Sequence, residues 1–384
     1  MNNSYRISVI LPSRDEAETI GECIRRIRDV FNRYNIDGEI IVSDNSNDGT
    51  PEIAKSLGAK VVTPDKLGYG YAYLYGLKHA SGDILVLGDA DGTYDFSEMP
   101  RLLEPILKGE ADLVIGSRLK GKIEKGAMPL LHRYIGNPIL TFILNLLFKA
   151  GVSDAHSGFR AIRRDALERL GLKSHGMEFA SEMILKASLM GLRIREVPIT
   201  YYPRRSGKSK LKSLQDGWRH LKFMLLYAPS SLYAHPGLSL SIIGLLLMLF
   251  GYFEVYVGYA PGLHSMILGS FCLLIGFQLI FLGLFAETYR AMYSSLTFNK
   301  LTGLVLKHLT LERGILIGLI IFLVALLYLI ALFFRWFNSG FTMLPLKGED
   351  IIGFSLLALG LQIIFNSILI SATSKNDVVV KETL

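Results

Sequence analysis

Up to about Tyr233 the apolar residues come in short runs separated by polar turns, and beyond it they come in runs as long as a bilayer is thick. The first part alternates strands and helices. Arg6–Leu11 is β-branched and apolar, ends at Pro12, and reads as a buried strand. Glu16–Tyr34 carries Ile20, Ile24, Ile27 and Phe31 at the spacing of an amphipathic helix. Glu39–Ser43 is a second strand, and Thr50-Pro51 followed by Gly58 brackets a short helix, with Pro inside its start and Gly just past its end. Lys60–Thr63, Ile84–Gly88 and Asp112–Gly116 read as further strands, with helices over Ala72–His79 and Ser97–Leu107. Strands alternating with helices predict an α/β fold whose mostly parallel, Rossmann-like sheet is covered on both faces. Ligands on such sheets bind beyond the carboxyl ends of the strands.

Four later stretches, Leu238–Tyr256, Leu263–Phe285, Gly314–Phe334 and Ile351–Ala372, approach the roughly 20 apolar residues a membrane helix needs. They predict an all-α domain of four transmembrane helices. The third is uncharged, whereas Glu254 lies in the first and Gln362 and Asn366 in the fourth. The Tyr289–Arg313 loop carries Arg290, Lys300, Lys307 and Arg313, and the Gly258–Gly262 loop carries no cation. That asymmetry puts both termini and the first domain on the cytoplasmic face. Met1–Arg6 is polar and is not expected to be a cleaved signal.

Two shorter segments suit a bilayer surface. Pro129–Lys149 has an apolar run from Pro138 to Phe148 flanked by Arg133 and Lys149. Leu211–Leu225 places Leu211, Leu214, Trp218, Leu221 and Leu225 on one helical face with Lys212, Arg219 and Lys222 elsewhere, a basic amphipathic pattern. The resulting plan is a cytoplasmic catalytic domain over 1–205 with an interfacial helix at 129–149. A juxtamembrane helix over 206–234, four spans over 235–373 and a cytoplasmic tail over 374–384 complete it.

Composition fits this segregation: mean hydropathy is +0.35 although a fifth of the residues are charged. The net charge of +7 comes from cations clustered beside the membrane segments. An anionic membrane surface or lipid is therefore the expected partner, rather than nucleic acid. Cys23 and Cys272 fall in a helix and a span, which argues against a disulfide framework. Monomer and homo-oligomer are both compatible with the sequence.

The chemistry concentrates at strand ends. Asp89-Ala90-Asp91 follows the run Ile84–Gly88, and two carboxylates at that spacing can share Mg²⁺ or Mn²⁺ with a substrate diphosphate. Asp44-Asn45-Ser46-Asn47-Asp48-Gly49 ends the second strand; it is either an ordinary Asx-rich turn or a nucleotide cradle in which Asp44 accepts from a ribose or base. Gly68-x-Gly70 is not a dinucleotide fingerprint, because Tyr73 stands where the third glycine would be.

Taken in order, these segments resemble the family 2 glycosyltransferases of GT-A fold, over nearly all of Arg6–Lys210. Pro12-Ser13-Arg14-Asp15-Glu16 looks like the family's Pro-x-x-x-Glu opening, Asp44 and Asp48 like its nucleotide-binding loop, Asp89-Ala90-Asp91 like its metal motif, and Gly116-Ser117-Arg118 like its Gly-Ser-Arg. Asp154-Ala155-His156-Ser157-Gly158-Phe159-Arg160, the Met177–Glu182 segment and Arg204-Arg205-x-Gly207-x-Ser209-Lys210 are similar to segments of the polyprenyl- and dolichyl-phosphate sugar synthases. The resemblance implies a catalytic centre of Asp89, Asp91 and Arg118. Around the nucleotide sugar it implies Pro12, Arg14, Glu16, Asp44, Ser46, Asp48, Gly68, Ala90, Glu178 and Glu182. At the acceptor phosphate it implies Arg133, Arg204, Arg205, Ser209 and Lys210. Gly92-Thr93 follows Asp91 where mannose synthases often have a metal-supporting Gln, which leaves the third metal ligand unassigned.

A lipid phosphate is anionic at neutral pH and needs no general base, unlike a sugar hydroxyl. The Gln-x-x-Arg-Trp motif of enzymes acting on sugar hydroxyls is absent, since Gln215-Asp216-Gly217-Trp218-Arg219 has Trp and Arg reversed. The resemblance thus implies inverting transfer of a hexose from a nucleotide sugar to a polyprenyl or dolichyl phosphate. UDP-glucose is the favoured donor, with GDP-mannose and UDP-N-acetylglucosamine open. A processive polysaccharide synthase and a catalytically silent membrane scaffold are the rival readings.

Overall fold

The computed structural model describes residues 5–205, 213–228, 230–293, 300–308 and 310–373. It separates into two compact units, Met1–Leu226 and Tyr227–Leu384.

Seven strands form one sheet in the first unit: β1 (Ile7–Ser13), β2 (Gly38–Asp44), β3 (Lys60–Val62), β4 (Ile84–Leu87), β5 (Leu113–Ile123), β6 (Arg160–Arg163) and β7 (Ile194–Tyr201), in spatial order β3-β2-β1-β4-β6-β5-β7. Only β6 runs against its neighbours. Sequence periodicity finds the first five strands and misses β6 and β7. β6 is four residues with an arginine at each end, too short and too charged for an apolar run to announce it.

The helices are α1 (Ile20–Tyr34), α2 (Thr50–Ser56), α3 (Tyr69–Lys78), α4 (Met99–Leu107), α5 (Asn137–Phe148), α6 (Arg164–Leu170), α7 (Phe179–Leu189) and α8 (Ser213–Tyr227). The stripe Ile20, Ile24 and Ile27 of α1 is fully buried with Val9 and Leu11 of β1 and Val86 of β4. Removing such side chains from water stabilises by roughly 1.5–3 kcal/mol each. α1 starts later than its apolar pattern suggests, because Glu16 closes a turn in which its carbonyl accepts from the Thr19 and Ile20 amides.

Both candidate interfacial segments are in this unit. Before and along α5, Leu130, Tyr134, Ile135, Ile139, Phe142 and Leu146 are exposed while Thr141, Leu144 and Phe148 are buried. On α8 the buried positions are His220 and Met224, and Trp218 is exposed. Its inward face is therefore offset from the stripe through Trp218 that the sequence suggests. Ser209, Lys210, Leu211 and Lys212 lie outside the described residues.

The second unit holds α9 (His235–Tyr252), α10 (Leu263–Tyr293), α11 (Lys300–His308), α12 (Leu311–Asn338) and α13 (Gly348–Thr373). Four helices in it are long and apolar enough to cross a membrane: Leu232–Tyr252, Leu263–Thr288, Leu311–Asn338 and Gly348–Ala372. The first ends before Glu254, whose backbone is left-handed, and it begins earlier than its apolar run. α9 and α10 pack antiparallel through glycines spaced by seven. A Cβ on Gly244 would stand 2.5 Å from the Gly269 carbonyl oxygen, and one on Gly276 would stand 2.6 Å from that of Gly237. In α12 and α13, Gly318 meets the Gly360 carbonyl oxygen in the same way, at 2.8 Å. Small residues let membrane helices approach closely where lipid offers no hydrophobic drive. Gln278 of α10 and Asn366 of α13 exchange amide hydrogen bonds, so these span amides satisfy each other.

Candidate active site

Parallel register brings three acidic turns to one edge of the sheet. Ser13 pairs with Asp44 across β1 and β2, and Ile10 with Leu87 across β1 and β4. The chain beyond these residues carries Glu16, Asp48, Asp89 and Asp91. The first two turns are laced together: the Asp15 amide donates to Ser46 Oγ (2.7 Å), the Glu16 amide to Thr50 Oγ1 (3.0 Å) and the Ala17 amide to Asp48 Oδ2 (3.2 Å). Asp44, expected to face a ribose or base, is buried, and its carboxylate accepts from the Ser13 and Ser46 hydroxyls and the Ser46 amide. Its visible work is to shape the loop. Burial opposes the Asp48 charge, yet hydrogen bonds from the Thr50 hydroxyl, the Thr50 amide and the Ala17 amide hold its carboxyl below the ordinary value. Pro12 sits in β1 beside Ser43. Arg14 is exposed, with its guanidinium 3.9 Å from Asp15.

Asp89 and Asp91 follow β4. Asp89 Oδ1 accepts from Tyr69 Oη (2.9 Å) and Tyr73 Oη (3.1 Å). Burial and then the charge of Asp91 push the Asp89 carboxyl up to about 7, against those hydroxyls and the nearby Arg118 charge, which pull it down. Asp91 Oδ1 accepts from the Thr93 amide (3.1 Å) and hydroxyl (2.6 Å), while its Oδ2 lies 3.3 Å from Arg204 Nη1. Between the two aspartates Ala90 is buried, and its carbonyl accepts from Thr19 Oγ1 at 2.8 Å. Among the described residues no third His, Cys, Asp or Glu completes a metal cluster with them. Two carboxylates whose remaining coordination comes from diphosphate and water suit Mg²⁺ or Mn²⁺, so the donor set fits such an ion.

Several of the residues singled out from the sequence have partners within the protein. Arg204, assigned from sequence to the acceptor phosphate, bonds to Glu16 and approaches Asp91, bridging the donor-side acids. Its neighbour Arg205 pairs with Glu22 of α1. Arg133 lies in a π-helical turn, its guanidinium 5.3 Å from the Tyr134 ring centre, and has no described contact with the acidic turns. Arg118, expected at the reacting centre, is buried and grips Asp154 through Nε and Nη2, both at 2.8 Å. Its charge reaches Asp89, but its hydrogen bonds tie β5 to the turn before β6. Glu182, expected at the nucleotide, is turned inward: it accepts from the Lys173 and Ser174 amides and pairs with Lys186 at 2.7 Å. Glu178 accepts from the Gly176 amide through Oε1, and its Oε2 is buried without a described hydrogen-bond partner.

Gly68 and Gly70 acquire a reason. Gly68 has φ of 153°, and a Cβ there would meet the His175 carbonyl oxygen at 2.4 Å; one on Gly70 would meet that of Ser174 at 2.3 Å. The loop that Glu182 braces therefore lies directly against the start of α3 and fixes where Tyr69 and Tyr73 emerge. Sequence reasoning did not single out these tyrosines. Their i, i+4 spacing after a glycine pair was the available signal.

Arg160 is the largest fully buried side chain. It donates to the Ala155, Ser157 and Ala180 carbonyls and fastens the turn before β6 to α7. His156 and His220 pack with ring centres 4.6 Å apart, and Ser181 Oγ lies 2.7 Å from His220 Nδ1. Burial, then the partner imidazole, depresses His156 well below its ordinary value, and burial brings His220 down to about 4.

The chain thus joins a mostly parallel α/β sheet with acidic turns at its carboxyl edge to a unit of helices long and apolar enough to cross a membrane. Residues 8–171 match the model of glycosyl transferase family 2, and residues 284–374 match that of the glycosyltransferase family 2 C-terminal transmembrane region. The chain is 44% identical to the low-salt glycan biosynthesis hexosyltransferase Agl6 of Haloferax volcanii, over 95% of its own length and 88% of that protein. It is 32% identical to a dolichyl-phosphate hexose transferase of the same organism, over 55% of this chain and 89% of the relative. Among solved structures, glucosyl-3-phosphoglycerate synthase from Mycobacterium tuberculosis, in complex with Mn²⁺, UDP and glucosyl-3-phosphoglycerate, is similar with a TM-score of 0.46 and 26% identity, over 59% of this chain and 80% of that one. The protein belongs to glycosyltransferase family 2 and is an integral membrane enzyme of that family.

Proposed function

We propose that the enzyme transfers a hexose from a nucleotide sugar, UDP-glucose in the first instance, to a polyprenyl or dolichyl phosphate at the cytoplasmic face of the membrane. The observation that carries this reading is the convergence of Asp89, Asp91, Glu16 and the cation Arg204 at one sheet edge, where carboxylates for a divalent cation stand beside a guanidinium. The names of the relatives, a hexosyltransferase and a dolichyl-phosphate hexose transferase, support the sugar and lipid classes. Asp89 and Asp91 would hold a divalent cation, whose charge offsets that developing on the leaving diphosphate.

In the transfer an acceptor phosphate oxygen attacks the anomeric carbon from the face opposite the diphosphate. The new C–O bond forms as the bond to the diphosphate oxygen breaks, so configuration inverts and a nucleoside diphosphate leaves. The attacking oxygen carries its negative charge already, which is why the described residues need not include a base. They need cations. Arg204, with Arg205, Arg133, Ser209 and Lys210 as sequence-level candidates, would screen the approach of phosphate to diphosphate; guanidinium suits this because it stays charged and grips phosphate through two N–H donors. The exposed apolar side chains from Leu130 to Leu146 would lie at the bilayer surface where such a lipid presents its headgroup.

The test is a screen of radiolabelled UDP-glucose, GDP-mannose and UDP-N-acetylglucosamine with the detergent-solubilised full chain and a polyprenyl phosphate. Label is expected in the lipid phase with one donor. Transfer should fall by about two orders of magnitude or more in Asp91→Asn, the scale of lost electrostatic stabilisation. Chelator-resistant transfer at wild-type rate in that variant would remove the metal from the reading, and no lipid-linked product with any donor would remove the acceptor.

A further inference from the structure

We infer that Tyr69 and Tyr73 are positioning residues that act through Asp89, fixing which of its carboxylate oxygens is offered to a cation. The inference rests on the donor-site reading above and adds a determinant to it.

A carboxylate with both oxygens free can rotate about its Cβ–Cγ bond and can bind a cation through one oxygen or two. Here Oδ1 receives two phenolic hydroxyls, at 2.9 and 3.1 Å, as many donors as one oxygen has lone pairs. Oδ2 is then the atom left to coordinate. The surroundings hold this arrangement in place. The Tyr69 and Tyr73 rings meet edge to face with centres 5.1 Å apart, and Tyr73 stacks on Phe179 at 5.3 Å with planes 5° apart. Tyr73 is 1% exposed. Gly158 packs against both groups: a Cβ there would lie 2.9 Å from Asp89 Oδ2 and 2.9 Å from Tyr69 Oη. The Gly158 amide in turn donates to Tyr94 Oη at 2.7 Å. The carboxylate is thus held between the two hydroxyls on Oδ1 and the close-packed Gly158 backbone, which leaves it little freedom to rotate. Groups behind a metal ligand commonly set its orientation and change metal affinity by about 10- to 100-fold when removed. Single-oxygen binding also favours a small octahedral ion over Ca²⁺, which accepts two-oxygen carboxylates in its larger shell.

The experiment uses the full chain in detergent and measures Mn²⁺ binding by electron paramagnetic resonance, with Mn²⁺ alone and with Mn²⁺ plus UDP. Mg²⁺ and Ca²⁺ are then titrated as competitors. Tyr69→Phe, Tyr73→Phe and the double variant keep the ring packing and remove only the hydroxyls. The expected result is Mn²⁺ affinity about tenfold weaker or more in the double variant, with Ca²⁺ gaining as a competitor relative to Mg²⁺ and the thermal midpoint held. A purely structural pair of hydroxyls would move the midpoint and leave the Ca²⁺ to Mg²⁺ ratio alone. Wild-type Mn²⁺ affinity and an unchanged ratio in the double variant overturn the inference, and should it not fold, the same readings on the two single variants decide. Asp89→Asn separates the two levels: if it too binds Mn²⁺ like wild type, the donor-site reading has failed, whereas loss in Asp89→Asn with no change in the tyrosine variants sinks this inference alone.

Discussion

Asp154 and Arg118 meet through two parallel N–H···O contacts with both side chains almost wholly out of water. A buried pair of this kind adds little over an apolar pair of the same volume, but removing one partner leaves the other charged and unsatisfied. Arg118→Met is therefore expected to destabilise the first unit by about 3–5 kcal/mol, read as a lowered midpoint in chemical denaturation. A midpoint equal to wild type would show that the pair is not shut off from solvent. The two buried imidazoles make a second residue-scale prediction. In the unfolded chain His156 and His220 have ordinary values near 6.5, and in the fold both are depressed, His220 to about 4. The unfolded state thus binds more protons in this range, so stability falls as pH drops. Their contribution is complete above about pH 6.5 and is lost as pH falls toward the folded values. His220→Gln should flatten the decline of thermal midpoint between neutral and mildly acidic pH; an unaltered slope would refute the assignment.

At the scale of elements, the glycines of α9 and α10 do what side-chain burial does in the first unit. Their backbones touch because no Cβ intervenes, and Gly244→Val would force a methyl group toward the Gly269 carbonyl oxygen. The expected cost is about 1–3 kcal/mol, the range for overpacking, seen as earlier thermal aggregation in detergent. Gly262→Ala serves as the control, since a Cβ there meets nothing within 4 Å. Equal stability of both variants would mean the two helices do not pack by their glycines. The first five strands of the first unit were legible as short apolar runs, as strands of a sheet covered on both faces read, and α1 was legible because burial of one face imposes a period of 3.6. The close approach of Gly68 and Gly70 to the 174–176 loop was not, because glycine leaves no period and its partner lies about a hundred residues on.

For the whole molecule the loop charges predict the orientation in the membrane. If the charge asymmetry of the loops holds, α11 faces the cytoplasm with the first unit, and the Val255–Gly262 turn faces outside. A cysteine at Lys307 should resist a membrane-impermeant thiol reagent in intact cells, and one at Tyr259 should react; both positions are exposed. The reverse pattern would place the active site on the outer face and exclude a cytoplasmic nucleotide-sugar donor.

What the sequence by itself determined is what local periodicity and chain order encode: a mostly parallel α/β unit, four spans after it, and acidic turns at strand ends carrying Glu16, Asp44, Asp48, Asp89 and Asp91. Tertiary structure alone decided which lone pairs of those acids remain available. Asp44 closes its own loop, Glu182 faces inward, and Arg204 crosses from the far end of β7 to Glu16 and Asp91. A carboxylate's role depends on the donors that reach each of its two oxygens, and those donors come from strands brought together by the sheet. No spacing along the chain records that convergence.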